Sequence, residues 1–452
     1  VEEASNTLKP SEDIVAITIE ALSLVELEGM SFRAAVDRAA NQLQVKEAPL
    51  VREARRLAFE TLNRKNLLDL VVKEALAPAE LDNFNLGVQA FLRIFAYETK
   101  ISSNLMEPTS LAELGRRVLG WRELTPVERA LGRIVSANMK DVLGDFHDDE
   151  SVALKTFNPL WFVRYTIRTF GRPKALQLLS TSRPSGRTFV RLNTFRIGET
   201  KTLEELKSKD IVLEPIEGLP SIYGVHKAEV GLRMWIAKGL LRMQDLPSTL
   251  AVVASKPKAG KRVLFVDASP AASATYAAQL MGDRGDVLVF DSVEERLSRV
   301  LADASSAGVS IVRTELIENP LTVPNLQADT VMLHAPNSRT GVFWREPSIR
   351  WRSQSNIVEH FAETQGELLD AWSKAVRPGG DLVYWTRSVA VEEDELAVEQ
   401  FLRRHPEFII SDTLPKIGVP SLRGQYQSQR LFPHIHLCDG AFVAMMTKQE
   451  PL

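Results

Sequence analysis

The stretch "RVLFVDASPAASATYAAQLMGDRGDVLVFD", residues 262–291, reads as strand, helix, strand. "RVLFVDA" is a short apolar run suited to a buried strand, "ASATYAAQLM" is rich in good helix formers, and "GDVLVFD" returns to a strand pattern. The alternation continues outward. "EERLSRVLADASSAG" reads as a helix, "VSIVRTE" and "DTVMLHA" as strands, "IVEHFAETQGELLDAWSKAV" as a long helix, and "GGDLVYWT" as another strand. Near the end, "EFIISD" and "GAFVAMMT" read as a strand pair. Regular β-α-β alternation means a parallel, doubly wound sheet. In such sheets ligands sit at the carboxyl ends of the strands.

Upstream the pattern changes. Residues 11 to about 145 read as helices: "DIVAITIEALSLVELEG" puts Ile14, Ile17, Ala21, Leu24 and Val25 on one stripe, and Ser31 is placed to cap "SFRAAVDRAANQL". Thr125 followed by Glu128 predicts a capping box. The acidic run "GDFHDDESVA" (144–153) suggests a boundary. Beyond it come helices, a strand at 188–195, a helix near 202–208 and a strand at 211–215. Three parts are therefore expected: an all-helical part over 1–148, a small α+β part over 149–250, and an α/β part over 251–452.

The chain has 452 residues, 44% hydrophobic and 25% charged, the balance of a soluble globular protein with sizeable cores. A net charge of −3 argues against a generally basic nucleic-acid coat but leaves room for local patches. The single cysteine, Cys438, excludes an intramolecular disulfide and a cysteine-rich zinc module. No apolar run of about 18 residues occurs and the N-terminus is polar and acidic, so neither a membrane span nor a secretory signal is expected. The simpler expectation is an intracellular protein, cytoplasmic or organellar.

Four strand ends are candidates for chemistry: Asp267, Asp291, Glu315 and His334. Asp291 lies 24 positions beyond Asp267, where an acidic residue can hold ribose hydroxyls. It could equally cap the helix that follows. The first turn should carry glycines; instead Ala271 and Ala272 follow Pro270, and each adds a Cβ. That argues against a tight cofactor pocket. "HIHLC" would set His434, His436 and Cys438 on one face if extended, but a fourth ligand for structural zinc is not nearby, so no metal is expected. "FWREPSIRWRSQ" clusters Arg345, Arg350 and Arg352 with Trp344 and Trp351, suited to phosphate contact and base stacking, or to a solvated surface. Arg52, Arg55, Arg56, Arg64 and Lys65 in "VREARRLAFETLNRK" suit a solvated helical face at least as well as an RNA face.

The order "RMQDLPSTLA", "KRVLFVDASPAASATYAAQL", "DVLVFDSVEERLSRV", "ADTVMLHAPNSRTGVFWREPSIRW", "LLDAWSKAVRPGGDLVYWTRSVAVEEDE" and "CDGAFVAMM" resembles the RNA (cytosine-5) methyltransferases of the Sun/Fmu type. The helical part resembles their NusB-like RNA-binding domain, and "FVRLN" their intermediate-domain strand. The resemblance implies a Rossmann-type methyltransferase domain, S-adenosylmethionine as cofactor and RNA as partner. It also implies a specific chemistry. A thiolate from a Thr-Cys-Ser block adds to C6 of cytosine and makes C5 nucleophilic towards the sulfonium methyl. The aspartate of an Asp-Ala-Pro-Cys block binds the flipped base, and that block's cysteine helps release the adduct.

This chain departs from the family at each point. The first block reads Thr386-Arg387-Ser388, and the second His334-Ala335-Pro336-Asn337. The first-turn block reads "SPAAS", Ser269 to Ser273, without glycine or lysine. Arginine stays protonated and donates hydrogen bonds without nucleophilicity. The expectation is an RNA-binding homologue, of ribosomal RNA or its precursor, that has lost cytosine-5 chemistry. It would act in ribosome assembly or structure, alongside ribosomal or assembly proteins and away from membranes. Were S-adenosylmethionine bound, Asp267, Pro270, Asp291 and Glu315 would face it; Arg345, Arg350, Trp351 and Arg352 would touch RNA. The alternative is a live methyltransferase with altered chemistry, in which His334 and Asn337 act without a covalent adduct.

Overall fold

The computed structural model describes residues 10–144, 148–181, 186–196, 198–228, 231–267 and 271–451. The chain divides into two units. One is Val1–Ser182 with Phe343–Ser355; the other is Arg183–Val342 with Asn356–Leu452.

The first unit is helical. Its central helix, Glu12–Glu28, is capped by Ser11 and stopped by Gly29 at φ 66°. The expected stripe is buried, and so are Val15, Ile19 and Leu22, so the helix is enclosed on several sides rather than on one. Around it pack Phe32–Gln42, Ala48–Asn63 and Leu86–Lys100, with Ser31 capping the first of these as expected. The expected capping box does not form. Thr125 opens a 3₁₀ turn through Pro126 that continues the Trp121–Leu124 helix, and its hydroxyl donates to the Trp121 carbonyl. The next helix, Glu128–Ser136, begins at Val127 without a side-chain cap.

The second unit holds two sheets. The smaller is antiparallel, in the order β2-β3-β1-β4. Its strands are β1 (Phe189–Leu192), β2 (Ile211–Pro215), β3 (Ile222–Ala228) and β4 (Leu241–Gln244). The larger contains β5 (Arg262–Val266), β6 (Asp286–Asp291), β7 (Val312–Leu316), β8 (Ala328–His334) and β9 (Val376–Thr386). β10 (Phe408–Ser411), β11 (Val419–Pro420), β12 (Gln429–Leu431) and β13 (Ala441–Lys448) complete it. Its order is β11-β12-β13-β9-β8-β5-β6-β7, with β10 paired to β13. The run from β9 to β7 is parallel and β13 is antiparallel to β9. Both faces are buried, as parallel sheets require. Val263, Phe265, Val287 and Met332 point into one core; Leu264, Val266, Phe290 and Leu333 point into the other.

The segment 149–250 does not stand as a unit of its own. Its helices, Asp148–Thr156, Leu160–Phe170 and Arg172–Leu179, belong to the helical unit. Its strands belong with the α/β unit, for a physical reason. Phe189, Ile222 and Leu246 bury in the same core as Phe265 and Tyr276. Asn193 also donates to the Ala307 carbonyl, and Arg242 pairs with Asp303. One face of the small sheet keeps a core of its own, with Val190, Leu206, Tyr223, Trp235 and Leu241, while Phe189 and Ile222 join the core of the larger sheet.

Candidate functional site at the strand ends

β5 and β8 are neighbours while β6 lies on the far side of β5, so the strand order reverses between them and opens a crevice at their carboxyl ends. Asp267, Asp291, Arg296, His334 and Pro336 are among the residues lining it, in a cavity of about 80 Å³. Pockets that enclose drug-sized ligands run to roughly 300–1,000 Å³. Arg296 Nη1 stands 3.5 Å from Asp267 and 3.6 Å from Asp291. Asp291 accepts a hydrogen bond from Val293 N at 2.8 Å, an Asx-type turn; the Glu294–Ala307 helix starts at Val293 without a side-chain cap, so the capping use considered for Asp291 does not arise. Glu315 is exposed and does not line the crevice. Pro270 lies outside the described residues. Two acidic strand ends, Asp267 and Asp291, line the crevice, and the Arg296 guanidinium lies close to both.

His334 ends β8 in register with Trp385 of β9. The two rings stack with centroids 3.8 Å apart and planes 17° apart, and His334 Nδ1 lies 3.4 Å from Asp267 Oδ2. Asn337, 8% exposed, uses both ends of its amide on the loop itself. Its Nδ2 donates to the Ala335 carbonyl and its Oδ1 accepts from Arg339 N. Ser338 donates through both its amide and its hydroxyl to Glu393, and Ser388 and Gln365 donate to the same carboxylate. Burial pushes the Glu393 carboxyl up to about 7, against the pull of these four donors. Gly341 donates to the Arg387 carbonyl and accepts from Gly440 N. A Cβ at Gly341 would come 2.0 Å from the Gly440 oxygen, so only glycine fits there.

Arg387 follows β9 directly. Its guanidinium is 3.3 Å from Asp245 and 3.7 Å from Asp439, and sits 6.0 Å from the Trp385 ring centroid. Cys438 is 7% exposed; its thiol donates to the Asp439 carbonyl. Burial, with Asp245 and Asp439 nearby, pushes that thiol well above its ordinary range. "HIHLC" is not extended: Pro433–His436 is a helical turn, so the alternation that would align its three side chains does not arise. Among the described residues no cluster of His, Cys, Asp and Glu is arranged for a metal ion.

The arginine-tryptophan segment lies in the helical unit, where Pro347–Arg352 is a short helix. Arg350 is 2% exposed and donates to the carbonyl and the side-chain oxygen of Asn63, at 2.7 and 2.8 Å. Burial and the charge of Arg64 lower its guanidinium to about 9. Trp351 Nε1 donates to the Leu62 carbonyl, Arg352 to the Gly29 carbonyl, and Trp161 Nε1 to the Ser353 carbonyl. Arg345 lies 3.7 Å from Glu346. The structure thus brings these residues together as an internal clasp on the Ala48–Asn63 helix. On that helix and just beyond it, Arg55, Arg56, Arg64 and Lys65 pair with Asp37, Glu53, Glu60 and Glu26.

Sequence reasoning missed Glu393, Asp245, Asp439, Trp385 and Arg296. Two signals were available. The acidic run "VEEDE" follows the Thr386-Arg387-Ser388 block, and "QDLP" has the aspartate-before-proline form of a helix start. Asp245 caps the Leu246–Ala254 helix as that form implies.

Residues 252–447 match the family model described as 16S rRNA methyltransferase RsmB/F. The probable ribosomal RNA small subunit methyltransferase B of Bacillus subtilis is 22% identical over 402 residues, 87% of this chain and 89% of that one. The ribosomal RNA small subunit methyltransferase B of Salmonella newport is 32% identical over 218 residues, 47% of this chain and 48% of its own. The crystal structure of PH0851 superposes with a TM-score of 0.81 at 23% identity, covering 98% of this chain and all of that one. NSun6 from Pyrococcus horikoshii, solved with SFG, gives 0.59 at 20% identity, over 65% of this chain and 99% of its own. At these identities the solved structures establish the fold. Among the described residues no helix is long and apolar enough to cross a membrane.

Proposed function

We propose that this protein, whose residues 252–447 match the RsmB/F rRNA methyltransferase model, binds RNA, ribosomal RNA or its precursor, without catalysing cytosine-5 methylation. One observation carries the reading. The position of the nucleophilic thiolate holds Arg387, set between Asp245 and Asp439. The chain's single thiol is buried and held protonated. A base-adding nucleophile must be ionised and exposed, and neither group is both.

The surrounding geometry supports retention of shape without chemistry. Asn337, where the family places its second cysteine, closes its own loop, and His334, where the family grips the base, stacks on Trp385. S-adenosylmethionine would be held at Asp267 and Asp291, and a cavity of about 80 Å³ argues for weak binding or none. On this reading the helical unit is a NusB-like RNA-binding domain, and the protein serves ribosome assembly or structure inside the cell, with ribosomal or assembly proteins as partners. Of the four residues expected on RNA, Arg350, Trp351 and Arg352 hold the clasp and Arg345 lies beside Glu346.

The second reading, a live methyltransferase with altered chemistry, draws on His334, whose ring stands 3.4 Å from a carboxylate as a general base would. Calorimetric titration with S-adenosylmethionine separates the two. Weak or absent binding, together with salt-dependent binding to in vitro transcribed small-subunit rRNA, is expected. Submicromolar cofactor binding favours the second reading.

A further inference from the structure

Of the chain's seven tryptophans, Trp121 alone is exposed, at 58%. It lies in the helical unit and opens the short Trp121–Leu124 helix, directly after Gly120, which ends the Pro108–Leu119 helix at φ 88°. The ring is nevertheless held in place. The Arg116 guanidinium lies 5.0 Å from its centroid, within cation–π range, and is itself fixed by Glu128 at 2.7 Å and Glu113 at 3.4 Å. A fixed indole left mostly in solvent forgoes the burial through which tryptophan usually stabilises a fold.

The charges around it are one-sided once the pairs are counted. Glu113 and Glu128 pair with Arg116, and Asn85 donates to Glu123. Arg122, next to Trp121, and Arg129, next to Glu128, are exposed and have no ion-pair partner among the described residues. The segment thus presents an aromatic plate with two uncommitted guanidinium groups beside it in the chain.

We propose that this surface takes single-stranded RNA: a base stacks on Trp121, and Arg122 and Arg129 meet neighbouring phosphates. The proposal rests on the RNA-binding reading and names residues of the helical unit for it. Every base has a π face, so stacking on an aromatic side chain tolerates sequence, and the planar fork of arginine pairs with phosphate oxygens. A ring already fixed by Arg116 loses little freedom when a base arrives, which lowers the cost of the contact.

The test uses the full chain and labelled in vitro transcribed small-subunit rRNA, with affinity measured across a salt series. Trp121→Ala is expected to lose about five- to fiftyfold in affinity with an unchanged salt slope, because stacking neutralises no phosphate. Trp121→Phe keeps a stacking face and should keep most of the affinity. Arg122→Ala should bind more weakly, with a log–log salt slope shallower by about 0.7. All three variants should melt with the unsubstituted protein, since both side chains are exposed. Acrylamide quenching of the exposed tryptophan gives a second readout: RNA should reduce it in the unsubstituted protein and not in Trp121→Phe. Unchanged RNA affinity in Trp121→Ala would overturn the site while leaving the RNA-binding reading standing. Salt-independent or absent binding by the unsubstituted protein would overturn the RNA-binding reading itself.

Discussion

The guanidinium of Arg387 lies 3.3 Å from the carboxylate of Asp245, the cap of the Leu246–Ala254 helix. Arg387 is therefore a structural cation joining the end of β9 to a helix start. Arg387→Ala leaves Asp245 and Asp439 facing each other without it, and is expected to destabilise the α/β unit by about 1–3 kcal/mol. Chemical denaturation checks this. Arg387→Cys would return a thiol to the place where the proposed reading puts the nucleophile; on that reading the cofactor binds weakly or not at all, so no methylation of cytosine is expected from that variant.

Glu393 sets a pH dependence whose sign follows from its carboxyl value of about 7 in the fold, above the ordinary 4.5. A raised carboxyl means the folded state holds the proton more tightly. Its contribution is full below about pH 4.5 and is lost as pH rises through about 7, so stability should fall across that window by a few kcal/mol at most. Glu98, buried in the helical unit and also raised to about 7, acts in the same direction. Unfolding followed at pH 5.5 and pH 8 should show the decline. Glu393→Gln should remove part of it, and an unchanged pH profile in that variant would count against the assignment.

Arg350 is predicted to matter for stability and not for RNA. Arg350→Ala removes two hydrogen bonds to Asn63 and opens a cavity on the Ala48–Asn63 helix, at about 2–4 kcal/mol. Thermal unfolding should report the loss, while RNA affinity of the folded fraction stays the same.

Cys438 should resist a thiol reagent in the native protein at pH 8 and react fully after denaturation, because its buried thiol does not ionise. Rapid native labelling would contradict the burial that the functional reading depends on.

Much of the α/β architecture was legible because parallel strands announce themselves as short apolar runs between helices, as in Arg262–Val266 and Asp286–Asp291. The strand-end residues Asp267, Asp291 and His334 were legible for the same reason. What was not legible depends on contacts distant in sequence. Nothing near Arg350 signals that Asn63 awaits it 287 positions away, so an arginine-tryptophan cluster read as an RNA surface proves to be largely an internal clasp. Thr125 followed by Glu128 satisfied a local rule, yet Pro126 extended the preceding helix instead. Strands β3 and β4 escaped notice because β4 has only four residues and the core that holds Tyr223 and Leu241 is assembled from residues spread between Val190 and Leu241.

The central claim is the absence of cytosine-5 chemistry. The direct test incubates the purified protein with S-adenosylmethionine labelled in its methyl group and total RNA, then digests the RNA and separates the nucleosides. No label in 5-methylcytidine above the protein-free control is the predicted result; label that appears there only when this protein is present would contradict it.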